Sequence, residues 1–257
     1  AGTLFDEKKN NFKNIIIIIL ISNLYKIGLK KAEKVIFQNE DDIKEFILKG
    51  ILKNNFKAKR IYGSGVSLKN FPPKTIPKNP NFLMLSRLLY NKGVKEYLEA
   101  SAIVKKKFPQ ATFKLAGFYE KNHPSAIKDE LLDFYIKKDY IKFLGYINNI
   151  SEEISLCRFY VLPSYREGTP RSVLEAMASR RPIITTDVPG CRDTVKDGHN
   201  GYLVQPRDSK GLASAMIKLI EQSEEETQRM ALNSYKLAES LYDVNKVNKD
   251  IISILKS

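Results

Sequence analysis

The stretch NFLMLSRLLYNKGVKEYLEASAIVKKKFPQATFKLAG, residues 81–117, decides the fold class of this protein. It begins with a short apolar segment at 81–86, continues through an amphipathic segment at 92–107 and ends in a second apolar segment at 111–117. Short strands that are apolar on both faces are typical of a parallel sheet covered on both sides. The stretch therefore predicts a strand, a helix and a second, parallel strand.

The same alternation continues towards the C-terminus. Further apolar segments predict strands, each followed by a helical pattern, at 141–146, 159–164, 182–187 and 201–204. The helices between and after them are predicted at 124–138, 150–157, 170–179, near 190–196 and at 208–221, and two more at about 224–241 and 243–256. Repeated strand–helix units of this kind predict an α/β fold with a doubly wound parallel sheet.

The N-terminal part of the chain is less regular. It predicts a strand at 34–39, a helix at 40–50, and a strand that runs into a glycine turn at 60–68. Four prolines in residues 71–80 indicate a linker. Seven consecutive apolar residues, Ile15–Ile21, are too few for a membrane span, which needs about 20. They predict a buried helix, with contact to a membrane or to a missing domain as the alternative.

Composition limits the partners and the compartment. A net charge of +14 favours anionic partners such as nucleic acids, acidic lipids or phosphorylated small molecules. The lysines are dispersed and no nucleic-acid-binding motif occurs, so no nucleic-acid partner is predicted. Two cysteines exclude a disulfide scaffold and favour the reducing cytoplasm. Neither His123 nor His199 lies near a cysteine, so no metal site is predicted.

The segment REGTPRSVLEAM, residues 166–177, places one glutamate before a helix and another within it. Ligands of doubly wound sheets bind beyond the carboxyl ends of the strands, where this segment is expected. Thr169 fits the N-cap and Pro170 the first helical position, so the helix start offers free N–H groups to an anion such as phosphate.

The spacing of the two glutamates matches the parts of a nucleotide-sugar. Glu175 lies about five residues into the helix, or roughly 8 Å along its axis, which is the reach from a diphosphate to the ribose of the same nucleotide. Glu167, before the helix, could meet a sugar on the other side of the phosphates. The alternative, left open by the spacing, is that Glu175 only forms an i,i+4 pair with Arg171.

Residues 167–204, EGTPRSVLEAMASRRPIITTDVPGCRDTVKDGHNGYLV, resemble the C-terminal signature of the retaining glycosyltransferases of family 4, which have the GT-B fold. The Glu-x7-Glu motif of that family matches Glu167 and Glu175. FLMLSRLLYNKG resembles the family's Arg-x4-Lys-Gly loop, which gives Arg87, Lys92 and Gly93, and IKFLGYINNI resembles the segment beside the nucleotide base. The sequence is most similar to bacterial enzymes that add sugars to polyprenyl-linked glycans or surface polysaccharides.

The resemblance implies a role for each matched residue. Arg87 and Lys92 would neutralise the donor diphosphate, so that neither a metal nor another cofactor is needed, and Gly93 belongs to the same donor-binding loop. Glu175 would bind the ribose, and Glu167 would bind the donor sugar and is the predicted catalytic residue. Backbone N–H groups near Arg171 to Val173 would hold the distal phosphate, and the predicted donor-binding residues of this segment are Gly168, Thr169, Pro170, Arg171, Ser172 and Val173. One departure is Arg180, which stands at the helix end where the family usually has glycine.

The implied function is retaining transfer of a hexose or N-acetylhexosamine from a UDP-sugar to a lipid-linked or polysaccharide acceptor, with a non-catalytic nucleotide-sugar-binding module as the alternative. The implied partners are this donor, a glycan or polyprenyl-diphosphate-linked acceptor, a missing N-terminal domain and the inner face of the cytoplasmic membrane. The chain is predicted to divide into a remnant of the acceptor domain, an interdomain crossing, the donor-binding domain and a helix that crosses back, at 1–59, 60–80, 81–242 and 243–257.

Overall fold

A six-stranded sheet forms the centre of the protein. The computed structural model describes residues 12–53 and 57–256, and the side chains from residue 15 onward. Within the sheet the strand order is β5-β4-β3-β6-β7-β8, and every neighbouring pair is parallel. These strands are β3 Asn81–Leu85, β4 Thr112–Ala116, β5 Lys142–Phe143, β6 Phe159–Leu162, β7 Ile183–Thr186 and β8 Gly201–Val204. The predicted α/β fold with a parallel sheet is confirmed.

Helices cover both faces of this sheet, since every residue of β6 and β7 is buried. They are α3 Val94–Lys107, α4 Asp129–Lys137, α5 Ile150–Leu156, α6 Arg171–Ala178, α7 Ser209–Glu221, α8 Glu224–Leu237 and α9 Val244–Lys256. Helix α3 packs against α4 and α7, whereas α6 packs against α5 and α8. Short 3-10 turns span Tyr90–Lys92 and Arg192–Thr194, and a π-helical turn spans Ala238–Tyr242.

The strand order places a topological switch point between β3 and β6. From β3 the sheet grows through β4 to β5 on one side, and from β6 through β7 to β8 on the other. The connections that follow β3 and β6 therefore lead to opposite directions and leave a crevice between them, which is where doubly wound sheets bind ligands. The crevice lies between residues 86–93 and 163–170.

Three phenylalanines pack across the middle of the sheet. Phe82 on β3 is paired in register with Phe113 on β4 and with Phe159 on β6. The ring centroids of Phe82 and Phe113 lie 5.0 Å apart in a stacked arrangement, and those of Phe82 and Phe159 lie 5.1 Å apart. Such contacts add to the burial energy of the rings, and they fix the two strands that border the crevice.

The N-terminal segment forms a smaller unit with its own apolar cluster. It contains α1 Phe12–Leu29, β1 Val35–Phe37, α2 Glu40–Leu48 and β2 Ala58–Arg60, and β1 pairs with β2 in parallel. Phe37, Ile43 and Phe46 are the centre of the cluster, and Tyr25 and Leu29 of α1 pack against it.

The predicted helix at Ile15–Ile21 is confirmed, but the prediction that it is buried is wrong. Ile15, Ile16, Ile17, Ile19 and Leu20 are between 43% and 59% exposed, because the apolar cluster covers α1 only near its C-terminal end, at Tyr25 and Leu29. None of the helices among the described residues combines the length and apolar content that crossing a bilayer requires.

Long-range pairing shortens one predicted helix. The pattern predicts a helix from 124, but α4 begins at Asp129. Residues 125–127 instead pair with the loop after β3, since Tyr90 N donates to Ser125 O at 2.8 Å and Ile127 N donates to Leu88 O at 3.1 Å. The predicted strand at 60–68 also differs, because β2 ends at Arg60 and only Val66 pairs further on, with Asp243.

The Arg181 side chain connects the linker at residues 71–80 to the domain that contains the six-stranded sheet. Its guanidinium is fully buried and donates to the carbonyl oxygens of Ile154 and Ser155 at 2.9 Å and of Thr75 at 3.3 Å. The carbonyls at the end of α5 carry the negative end of the helix dipole, which favours a cation there. Burial lowers the pKa of Arg181 from its ordinary value. The side chain thus joins residues that lie far apart in the sequence.

Candidate functional site

The loops that follow β3 and β6 meet at the switch point. Tyr165 N donates to Asn91 O at 2.9 Å, so the two loops are joined through their backbones. Gly93 has φ 73°, and a Cβ atom built on it would lie 2.1 Å from Pro163 O. Only glycine allows the two backbones to approach in this way. The sequence prediction grouped these loops correctly in space.

Glu167 lies in the crevice between these loops. Its Oε1 atom lies 2.5 Å from Lys92 Nζ and accepts a hydrogen bond from Ser164 Oγ at 2.8 Å. Both side chains of the ion pair are mostly buried, at 16% and 19% exposed. A diphosphate would therefore share the Lys92 ammonium with Glu167. Ser164 was not predicted; its position three residues before Glu167 was the only sequence signal.

Helix α6 begins later than the sequence predicts. Pro170 is the N-cap, with extended φ and ψ of −72° and 106°, and Arg171 is the first helical residue. The prediction of Thr169 as N-cap and Pro170 as first helical residue is wrong, because Thr169 Oγ1 donates instead to Gln38 O at 3.3 Å. Since the first amides of a helix have no partner within it, the α6 start still offers N–H groups to an anion.

A pocket of about 200 Å³ adjoins the start of α6. Glu175 and Ser172 of α6 lie on its wall, and Ser172 Oγ donates to Leu85 O at 3.3 Å. Its other lining residues come from the ends of β3 and β4, from the loop before α5 and from the first residue of α5: Leu85, Ser86, Ala116, Gly117, Phe118, Tyr146, Ile147 and Ile150. The pocket therefore combines a carboxylate with apolar and aromatic surfaces.

Both alternatives for Glu175 have a structural basis. The Arg171 Nε atom lies 3.0 Å from Glu175 Oε1, so the i,i+4 pair exists. The Arg171 side chain is 73% exposed, however, whereas Glu175 is 6% exposed and lines the pocket. Burial raises the pKa of Glu175, and Arg171 partly opposes that rise. Glu175 is thus a desolvated carboxylate on the wall of the pocket.

Arg87 lies on the loop after β3, next to Ser86 of the pocket wall. Its side chain is exposed, and among residues 12–53 and 57–256 it has neither a hydrogen-bond nor an ion-pair partner. Arg87 is therefore a cation without competing carboxylates, unlike Lys92. The predicted roles of both residues in diphosphate binding stay predictions.

No site role was predicted for the N-terminal segment, yet this segment contacts the loop at 163–170 that carries Glu167, called the Glu167 loop below. Asn39 Nδ2 donates to Gly168 O at 3.2 Å, and a Cβ atom on Gly168 would lie 2.1 Å from Gln38 Oε1. Arg166 forms ion pairs with Asp42 and with Glu45 of α2. The acidic residues at the start of α2 indicated only a helix start in the sequence.

Comparisons with known proteins identify the family of this chain. The family model described as glycosyl transferases group 1 matches residues 67–237. The N,N'-diacetylbacillosaminyl-diphospho-undecaprenol alpha-1,3-N-acetylgalactosaminyltransferase of Campylobacter jejuni is 34% identical over 224 residues, which cover 82% of this chain and 57% of that protein. The putative glycosyltransferase EpsD of Bacillus subtilis is 30% identical over 199 residues, which cover 72% of this chain and 51% of EpsD. The chain thus spans about half the length of these curated relatives.

Solved structures show the same fold. Anabaena Alr3699/HepE, in complex with UDP and glucose, is 24% identical with a TM-score of 0.76, covering 95% of this chain and 67% of HepE. Sucrose-phosphate synthase from Thermosynechococcus elongatus is 23% identical with a TM-score of 0.78, covering 93% of this chain and 61% of that protein. Because the family model covers more than half of the chain and the Campylobacter relative is 34% identical across 82% of it, this protein belongs to the group 1 glycosyltransferases, which have the GT-B fold.

Proposed function

We propose that this chain binds a UDP-sugar at the switch point and is the donor-binding part of a retaining glycosyltransferase that needs no metal. The observation that carries the proposal is the composition of the pocket wall. Ser172 and Glu175 from the first two turns of α6 line one pocket together with Ser86 and Gly117 from the ends of β3 and β4. A nucleoside in this pocket would direct its phosphates towards the α6 start and Arg87.

The diphosphate is proposed to lie between the α6 start and the loop after β3. The N–H groups of Arg171 and Ser172 and the helix dipole favour phosphate oxygens. Arg87, which is exposed and has no ion-pair partner in the described part of the chain, would add a cation, and Lys92 would add a second one if it releases part of its contact with Glu167. Two cations stabilise the charge that develops on a pyrophosphate leaving group, and on this basis we propose that the reaction proceeds without a metal.

The nucleoside and the sugar occupy opposite ends of this arrangement. Glu175 would accept hydrogen bonds from the vicinal ribose hydroxyls, and the exposed rings of Phe118 and Tyr146 offer stacking surface for a base. Uracil is proposed because HepE was solved with UDP. Glu167, on the other side of the α6 start, would bind the hydroxyls of a hexose or N-acetylhexosamine.

The acceptor is proposed to be a lipid-linked or polysaccharide glycan at the inner face of the cytoplasmic membrane. The support is the name of the Campylobacter relative, which describes transfer to a diphospho-undecaprenol-linked sugar. The net charge of +14 suits an acceptor that carries a diphosphate and a membrane that carries anionic lipids.

Titration calorimetry of the chain with UDP, in buffer containing EDTA, tests the donor site. We expect saturable binding that a UDP-sugar competes for, and binding weakened at least about fivefold in Arg87→Gln, because the guanidinium contact to phosphate is lost. Lys95→Gln is the matched control, since Lys95 is exposed on α3 and pairs with Glu99 at 3.6 Å. No heat at millimolar UDP would disprove the proposal.

The alternative is a module that binds nucleotide-sugars without transferring them. It predicts the same UDP binding but no transfer from a radiolabelled UDP-sugar to a polyprenyl-diphosphate-linked acceptor. The same transfer assay also tests the stereochemistry of the reaction. A product with an inverted anomeric configuration would disprove the retaining mechanism.

A further inference from the structure

Both neighbours of Glu167 in the chain contact the start of α2 in the N-terminal segment. Arg166 on one side forms an ion pair with Asp42, and its side chain is only 7% exposed. On the other side Gly168 O accepts a hydrogen bond from Asn39 Nδ2. Asn39 and Asp42 belong to the start of α2, more than 120 residues away in the sequence.

Asn39 and Asp42 are themselves joined. Asn39 Oδ1 caps α2 by accepting from Asp42 N at 2.8 Å, and Asn39 Nδ2 donates to Asp42 Oδ2 at 3.1 Å as well as to Gly168 O at 3.2 Å. An amide group has two N–H donors, so it can make both of these last bonds. Asn39 is fully buried. Arg166, Asp42, Asn39 and Gly168 therefore form a closed chain of contacts around Glu167.

Further contacts join the loop to α2. Gln38 fills the space beside Gly168, where even a methyl group would clash. On the far side, Glu167 N donates to Pro189 O at 3.2 Å. The segment after Pro189 is attached to α2 too, because Arg192 lies 3.1 Å from Asp41. The backbone of Glu167 thus lies where α2 docks.

We propose that Asn39 and Asp42 are positioning residues that orient Glu167 towards the donor sugar, so that the sugar end of the donor is recognised only while α2 is docked on the Glu167 loop. This inference rests on the proposed function, because it assumes that Glu167 binds the sugar. The diphosphate and nucleoside contacts at the α6 start and Glu175 do not involve α2. The N-terminal segment therefore controls sugar recognition and leaves UDP recognition to the rest of the site.

The experiment compares UDP with UDP-sugars on the whole chain. Dissociation constants are measured by calorimetry for UDP and for UDP-glucose, UDP-N-acetylglucosamine and UDP-N-acetylgalactosamine, and the sugar bound most tightly by the unaltered chain is kept. The two test variants are Asn39→Asp, which keeps the cap acceptor but loses both N–H donors, and Asp42→Asn. In each variant we expect the dissociation constant of the UDP-sugar, divided by that of UDP, to rise at least about fivefold.

Two controls separate positioning from stability. Glu40→Gln makes the same change from carboxylate to amide at the start of α2, where the partner is Arg60 at 3.8 Å, and should leave the ratio unchanged. In a Glu167→Gln background, Asn39→Asp should change the ratio no further, because the residue through which it acts is already altered. Asn39→Ser, which also keeps a cap acceptor and adds no charge, replaces Asn39→Asp if that variant does not fold.

The outcomes separate a failure of the proposed function from a failure of the inference about Asn39 and Asp42. If the unaltered chain does not bind UDP, the proposed function is wrong and the inference falls with it. If UDP binds but Asn39→Asp and Asp42→Asn weaken UDP and UDP-sugar equally, or leave the ratio unchanged, α2 has only a structural role and the inference alone is wrong. A further rise of the ratio in the Glu167→Gln background would also overturn it.

Discussion

Glu175 is deeply buried and lies on the wall of the pocket beside the α6 start. Its carboxylate is desolvated and its pKa is raised, with Arg171 as a partly compensating partner. We expect Glu175→Gln to weaken UDP binding more than pyrophosphate binding, by a factor that corresponds to about 1.5–3 kcal/mol for a lost charge-assisted hydrogen bond. Calorimetry with both ligands measures this; an equal loss for the two would mean that Glu175 only pairs with Arg171.

The stability of Glu175→Gln relative to the unaltered chain should change with pH in a defined direction. Because the folded pKa of Glu175 is raised above its unfolded value, ionisation costs stability, and this cost appears as pH rises from the unfolded pKa of about 4.3 through the folded pKa. Glu175→Gln should therefore unfold at the same or a higher temperature than the unaltered chain at pH 7, with a smaller difference below pH 4. A lower melting temperature at pH 7 would contradict this account.

Helix α6 ends in a Schellman motif in which Arg180, and not a glycine, adopts the left-handed backbone conformation. Arg181 N donates to Ala176 O and Arg180 N donates to Met177 O, both at 3.0 Å, and Arg180 has φ 61°. The sequence showed arginine where the family usually has glycine, and the structure keeps the left-handed conformation in spite of the Cβ atom. We expect Arg180→Gly to raise the free energy of unfolding by about 0.5–1 kcal/mol, because the left-handed strain is removed.

Urea unfolding of Arg180→Gly and Arg180→Ala checks this assignment. Arg180→Ala removes the same guanidinium but retains the Cβ atom, so it should give no stabilisation. If both variants were equally stabilised, the cause would be the arginine side chain and not the backbone conformation.

At the scale of the whole molecule, Arg181 connects three separate parts of the chain. It stands before β7 and binds the end of α5 and the linker carbonyl of Thr75. Arg181→Met would remove the charged donor to the carbonyl oxygens of Ser155 and Thr75 and one of the donors to Ile154 O, and we expect the free energy of unfolding to fall by about 2–3 kcal/mol. Hydrogen exchange should also become faster in residues 71–80, since Arg181 holds this linker against the domain.

An exposed arginine provides the comparison for that variant. Arg229 on α8 is 52% exposed and lies 3.7 Å from Glu226, so Arg229→Met should change stability by less than about 0.5 kcal/mol. Similar losses for both variants would show that arginine content, and not the buried carbonyl contacts, determines the effect.

The sequence by itself determined the parallel sheet, its helices and the loops in which the site lies. The apolar strands and amphipathic helices between 81 and 221 are local patterns, and each specifies its own element regardless of distant residues. The spacing from Glu167 to Glu175 is equally local, because the helix between them converts sequence distance into length. These features were predictable for that reason.

Only the tertiary structure decided the features that depend on distant partners. Helix α6 starts at Arg171, since the Thr169 hydroxyl donates to Gln38 O and does not cap the helix. Helix α4 starts late because residues 125–127 pair with the loop after β3. The contact of Asn39 with Gly168 likewise joins residues 129 apart. A hydrogen bond across such a distance leaves no periodicity in either segment, so local patterns cannot reveal it, and the participation of α2 in the Glu167 loop emerged only from the folded chain.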